Sequence, residues 1–258
     1  MRPDVEAARG YDLYGNIAVI DAKPSSAKTL GRRLMAENGN IETVLRKGGA
    51  VGGRYRTRKF IYVSGKKGFI ATYRENGCVF RFDVRKTFFS TRLAYERKRV
   101  SDMVRDGESV VVMFAGVGPY SIEIAKAHKR CRVVSIELNP FASRYAAENA
   151  RLNRTSNVTV EQGSVDGFAA KYAGFADRII MPLPKDSSLF LDTALKMCAK
   201  RCTVHYYAFC SARGIAPELK RLRAFFTARR KKFRLLGHRV VRPYSARDVE
   251  IVADFVVY

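Results

Sequence analysis

Apolar positions in the first third of the chain come in short runs. Ile17–Ile20 reads as a strand, and Ala27–Glu37 spaces its apolar residues as an amphipathic helix does. Strand-like runs follow at Ile41–Leu45, Phe60–Val63, Phe69–Tyr73 and Val79–Phe82. Gly48-Gly49, Gly52-Gly53, Gly65 and Asn76-Gly77 punctuate them as turns. The pattern predicts a small α+β domain over residues 1–90.

From about Arg92 strands alternate with helices. Helix Leu93–Arg105 precedes a buried strand at Val110–Phe114, then helix Pro119–His128, strand Arg132–Glu137 and helix Phe141–Leu152. Strands Val158–Gln162 and Arg178–Met181, helix Leu189–Ala199 and strand Thr203–Phe209 continue the series, and a basic helix spans Ala216–Lys232. Arg234–Arg242 and Val249–Val257 close the chain as an antiparallel edge hairpin. Such alternation predicts, over residues 91–258, an α/β domain with a Rossmann-like parallel sheet wound on both faces.

Charge alters this picture most. The 258 residues hold 48 Lys and Arg against 24 Asp and Glu, a formal net charge of +24. An excess of that size calls for an anionic partner. Nucleic acid fits best, because cationic side chains on phosphates release condensed counterions. No apolar run is long enough to span a bilayer, and Met1 to Ala8 has none of the apolar core of a secretory signal. Five cysteines (Cys78, Cys131, Cys198, Cys202, Cys210) without a signal point to a reducing, cytoplasmic setting. With three histidines, none spaced as a ligand to those thiols, no metal site is expected.

Three motifs sit where strands end. Phe114-Ala115-Gly116-Val117-Gly118-Pro119 turns a strand into a helix, and glycines there let the backbone approach a ligand. Alone it is any tight strand–helix turn. Glu137-Leu138-Asn139-Pro140 follows the next strand, where an acid accepts from both ribose hydroxyls of a nucleoside cofactor or serves a helix start. The glycine turn lacks a full G-x-G-x-x-G, which argues against NAD and for S-adenosylmethionine. Met181-Pro182-Leu183-Pro184 ends a later strand; proline-rich loops at this place in nucleic-acid methyltransferases hold a flipped base, while Pro-x-Pro alone ends a strand in many proteins.

Further pieces occur in series: Tyr11–Ala18, Tyr55–Lys59, Glu75–Cys78, Phe89–Leu93 with Glu96-Arg97, Leu183–Lys185, His205–Tyr207 and Val241–Arg247. Together with the three motifs they resemble the archaeal and eukaryotic tRNA guanine-37 N1-methyltransferase family, along with related wybutosine-pathway transferases. The resemblance implies a class I methyltransferase fold, S-adenosylmethionine as cofactor, and the anticodon stem-loop of tRNA as partner, with a monomer as the working unit. It makes Glu96 the general base and Arg56 the arginine that contacts guanine. It implies cofactor contacts at Arg97, Phe114, Ala115, Gly116, Val117, Gly118, Glu137, Leu138, Asn139, Ser164, Val165 and Pro182. RNA contacts are implied at Arg54, Arg58, Lys59, Arg92, Lys185, Tyr206, Tyr244 and Arg247. The chemistry agrees, since guanine N1 must lose its proton to become a nucleophile and a cation near O6 stabilises the charge that builds there. From the residues alone, Glu96 reads as a surface ion pair on a basic helix, Arg56 as one phosphate clamp among several, Tyr206 and Tyr207 as core aromatics, and His205 as structural.

Four departures stand out. Pro182 replaces the family's usual Asn, Val112 its usual Asp, and Ser164 a frequent acid, with Asp166 as a nearby substitute. The chain also starts near what is the second domain in relatives. These changes keep two alternatives open: transfer of an aminocarboxypropyl or second methyl group to a modified guanine-37, and a non-catalytic tRNA-binding protein. Lys185 and Glu96 favour methyl transfer.

Overall fold

The computed structural model describes residues 10–50 and 52–258, so Met1 to Ala8 lies outside the described residues. β1 (Tyr11–Tyr14), β2 (Ile17–Ile20), α1 (Pro24–Glu37), β3 (Thr43–Lys47) and β4 (Phe60–Gly65) build a four-stranded sheet of order β1-β2-β3-β4. Only β2 and β3 run parallel, and α1 makes the crossover between them, burying Ala27 and Leu34 against Val44. β1 is a strand the apolar pattern did not announce. Its four half-buried residues are extended because they pair with β2.

β5 (Ile70–Glu75) and β6 (Cys78–Asp83) form a separate hairpin. Its free edge is completed by two side chains on a later helix. Asn153 accepts from Val79 N at 2.9 Å and donates to Val79 O, while Asn149 accepts from Arg81 N at 2.8 Å and donates to Arg81 O. Backbone groups of an open edge are thereby satisfied without a third strand. One apolar cluster runs from Ile17, Val19 and Leu45 through Phe80, Phe82 and Phe89 to Val117, Ile122 and Ala142.

The remainder comprises α2 (Ala94–Asp102), β7 (Ser109–Met113), α3 (Pro119–Ala127), β8 (Arg132–Glu137), α4 (Pro140–Leu152), β9 (Val158–Gln162), α5 (Val165–Phe168), β10 (Ala176–Met181), α6 (Leu191–Met197), β11 (Cys198–Ser211), α7 (Ile215–Ala228), β12 (Phe233–Pro243) and β13 (Asp248–Val257). Seven strands lie in the order β12-β13-β11-β10-β7-β8-β9. Five are parallel, and β13 and β12 close the edge antiparallel, as the pattern predicted. The strand order reverses between β7 and β10, and a doubly wound sheet opens its binding crevice at the carboxyl ends of such strands.

Two boundaries differ most from the pattern. β11 begins at Cys198, because sheet pairing extends it through a polar stretch. α7 ends at Ala228 rather than Lys232. Lysine and arginine are good helix formers, but Arg230 takes φ 56° and turns the chain into β12. No helix of the described residues is long and apolar enough to cross a membrane.

Candidate functional site

The glycine turn sits at the carboxyl end of β7. Phe114, Gly116 and Gly118 all have positive φ, at 55°, 59° and 85°. A bulky residue in that region is strained, and such strain gathers at functional backbone. A side chain on Gly116 would meet nothing closer than the Phe88 carbonyl at 3.7 Å, so the turn opens onto free space. Gly118 is different, since a Cβ there would press on Ile122 and Ala146 at 3.1 and 3.3 Å. Gly116 leaves room for a ligand, while Gly118 lets α3 and α4 pack.

Glu137 closes the turn from β8. Its Oε2 accepts from Gly116 N and its Oε1 from Asn139 N, both at 2.7 Å. Burial pushes its carboxyl up, and the backbone N–H groups of Asn139, Gly116 and Leu138 oppose the shift. With these backbone N–H groups turned toward it, the carboxylate still keeps acceptor capacity for a ribose hydroxyl.

Several expected cofactor contacts turn inward. The Asn139 side chain caps α4 by accepting from Phe141 N and donates to Lys86 O, so it is already engaged. Val117 and Val165 are buried in the core. Arg97 is corrected outright. It is 2% exposed, donates to Glu75 at 2.6 Å and to the Ser90 carbonyl, and lies over the Phe89 ring. Ser164 is exposed ahead of α5, and Asp166 is taken by the Thr193 hydroxyl. Leu138 is half-buried. Pro182 occupies the centre of a three-residue turn in which Leu183 N donates to Met181 O at 2.9 Å. Val112 is wholly buried beside Ile180 and Tyr207.

A cavity of about 490 Å³ lies between the first sheet and the β12–β13 end. Arg56, Arg58, Arg92, Arg242, Asp12, Phe88, Ser90 and Tyr244 line it. Arg56 has φ 52° and sits 5.5 Å over the Phe88 ring. Arg58 Nε is buried without a partner, and Arg92 donates to Asp12 at 2.9 Å. Tyr244 stacks on Phe209 at 3.8 Å and stays 56% exposed, with an aromatic face free on the cavity rim. Arg54, Lys59, Lys185 and Arg247 are exposed. Tyr206 is not: at 2% exposure its hydroxyl donates to Glu218 and accepts from Arg221 beneath α7, out of reach of RNA.

Glu96 is no surface ion pair. It is 3% exposed on the first turn of α2. Oε1 accepts from Arg99 Nη2 and Tyr207 O–H, both at 2.7 Å, and Oε2 from Arg99 Nε at 2.8 Å. Tyr207 follows Tyr206, the partner of Met181 across β10 and β11, so its backbone lies beside the carboxyl end of β10. Arg99 lies on the basic helix where an ion pair with Glu96 was expected, but its second partner Asp254, 2.7 Å away on β13, has no such local signal. Among the described residues no group of His, Cys, Asp and Glu gathers as a metal shell.

Comparison with known proteins matches residues 71–236 to the TRM5/TYW2 methyltransferase domain. The chain is 38% identical to tRNA (guanine(37)-N(1))-methyltransferase Trm5b of Pyrococcus abyssi, over 96% of this chain and 74% of that relative. It is 27% identical to the Nanoarchaeum equitans tRNA (guanine(37)-N(1))/4-demethylwyosine(37)-methyltransferase Taw22, over 92% and 97% of the two. The crystal structure of Pyrococcus abyssi Trm5b superimposes with TM-score 0.87 at 37% identity, covering 96% of this chain and 75% of that one. The aTrm5 chain solved in complex with tRNALeu gives 0.84 at 27% identity, covering 97% and 72%.

Proposed function

The chain belongs to the TRM5/TYW2 methyltransferase family, and from that premise we propose that it transfers the methyl group of S-adenosylmethionine to N1 of guanine-37 in tRNA. The observation that carries this reading is the crevice at the β7–β10 switch: a strained, open glycine turn with Glu137 clamped beside it and acceptor capacity left over. That donor set fits a nucleoside cofactor. When bound, S-adenosylmethionine supplies an electrophilic methyl group on a sulfonium.

The chain's own residues do the rest. Glu96 takes the N1 proton on Oε2, where one acceptor position remains, and the N–H electron pair stays on N1, which becomes the nucleophile. Arg56 stabilises the charge that moves toward O6. The cationic cavity with its Tyr244 rim receives the anticodon loop, and residues up to about 90 form the tRNA-contacting unit. Arg54, Lys59, Lys185 and Arg247 meet phosphates. One chain supplies every group named here, and the five free thiols fit a cytoplasmic setting.

The test is a transfer assay with purified protein, labelled S-adenosylmethionine and unmodified tRNA, with nucleosides resolved by mass. Formation of 1-methylguanosine that disappears when G37 is substituted is the expected result. Pro182, which offers neither an amide side chain nor an N–H, favours a second reading in which a modified guanine receives an aminocarboxypropyl group. Absence of 1-methylguanosine together with that heavier adduct on 4-demethylwyosine tRNA would establish it.

A further inference from the structure

Behind Glu96 lies an unbroken chain of buried and half-buried polar groups that the proposed chemistry does not use. All five N–H donors of Arg99 are engaged. Nε and Nη2 hold Glu96, Nη2 and Nη1 reach Asp254 at 3.4 and 2.7 Å, and Nη1 also meets Met103 Sδ. The guanidinium is thus gripped by a carboxylate on each side, and a planar fork held this way cannot rotate.

Asp254 is itself held. His205, its cross-strand partner on β11, stands 2.6 Å from Oδ1 through Nδ1. Arg178 Nη1 lies 2.7 Å from His205 Nε2. Arginine only donates, so Nε2 must accept and Nδ1 carries the hydrogen that Asp254 receives. Arg178 is anchored by Glu108 at 2.6 Å and by the Met103 carbonyl. Burial pushes His205 down and keeps it neutral. Burial alone would raise Asp254, but His205 and Arg99 hold it down at about 2, so it stays charged.

We propose that Asp254, acting through the Arg99 it shares with Glu96, is a positioning residue for methyl transfer: it fixes the Glu96 carboxylate in one orientation, with a single acceptor position on Oε2 free. The inference rests on the reading of Glu96 as the base. Without Asp254, half of the Arg99 fork is released, and Glu96 can turn with it.

The test compares Glu96→Gln, Asp254→Asn and the double variant of the full chain, using S-adenosylmethionine and G37-containing tRNA. Asp254→Asn should lower kcat by about ten- to a hundredfold, because a misplacement of about 1 Å in a reacting group can cost on the order of a hundredfold, with KM for tRNA changed less than about twofold. The double variant should be no slower than Glu96→Gln alone, because the two residues act as one unit. Should Asp254→Asn fail to fold, Arg99→Lys keeps the charge but removes the fork, and the same loss confined to kcat is expected. Wild-type turnover in Asp254→Asn beside a slow Glu96→Gln overturns the inference alone. So does a loss seen only in KM, or losses that multiply in the double variant. Wild-type turnover in Glu96→Gln overturns the base reading and this inference with it.

Discussion

Arg97 and Arg99 stand two residues apart on α2, and each lies between two carboxylates. Around Arg99 every donor is used, and both acids accept from it along two edges. Around Arg97 the fit is poor. Nη2 donates to Glu75 Oε2 and the Ser90 carbonyl, but Nε stands 3.5 Å from Glu123 Oε1. Arg97 Nε, Glu75 Oε1 and Glu123 Oε1 are buried without hydrogen-bond partners. The same composition therefore serves two ends. A fully bonded cluster orients a side chain, whereas an incompletely bonded one is strained in its charge state, because unpaired buried charge is costly. Burial, with Glu75 adding to it, pushes the Glu123 carboxyl well above the ordinary carboxylate range.

The largest way to break the comparison is Arg97→Met. It strands Glu75 and Glu123 in the interior beside each other, and loss of one partner from a buried ionic cluster costs about 3–5 kcal/mol. Urea unfolding at neutral pH should show that loss. A change below about 1 kcal/mol would mean that Arg97 neutralises neither acid.

Neither cluster was legible in the sequence. Glu75, Arg97 and Glu123 come from a hairpin and two helices, and Asp254 is 155 positions from Arg99. Asp254 meets His205 only once the strand order places β13 beside β11, and Glu75 and Glu123 meet Arg97 only once α2 and α3 pack beside the hairpin. What could be read was local. The runs at Ile17–Ile20, Arg132–Glu137 and Val158–Gln162 are strands at those limits, and the glycine turn and Glu137 fall at strand ends. Tyr206 and Arg97 were misplaced for one reason. A tyrosine or arginine in a matching motif carries no sign of which face of its element the fold will bury.

A second way in is Glu123→Gln, which works through pH. The folded-state pKa of Glu123 is raised, so between the ordinary carboxylate pKa and that raised value the native state binds more protons than the unfolded chain. Stability from this group is thus complete at low pH and lost as pH rises through that window. Gln has no proton to lose, so the variant should overtake the wild type as pH climbs, by about 1–2 kcal/mol at the alkaline end. The quantity to follow is the difference in urea midpoint between the two proteins at pH 5, 7 and 9. His205, held low by burial, has the opposite slope in both and cancels from that difference. A difference that stays constant with pH would place the proton elsewhere.

The smallest effect belongs to Tyr207→Phe, and it separates two ways of holding Glu96. Tyr207 is 1% exposed; its hydroxyl donates to Glu96 Oε1 at 2.7 Å and accepts from Tyr120 at 3.0 Å. Burial pushes that hydroxyl's pKa well up, with Tyr120 and Glu96 reinforcing it, so it remains a donor at any working pH. Its removal deletes one hydrogen bond to a charged group and leaves Tyr120 without its acceptor, a cost of about 1–2 kcal/mol. Arg99 still bonds both Glu96 oxygens, and a two-point bond fixes the plane of a carboxylate where one hydroxyl cannot. Turnover should then fall by only about two- to threefold, as for an ordinary packing or hydrogen-bond defect, and by less than in Asp254→Asn. A kcat in Tyr207→Phe as low as that of Glu96→Gln would reverse the order. The hydroxyl would then be the group that aims Glu96, and Arg99 only its counter-charge.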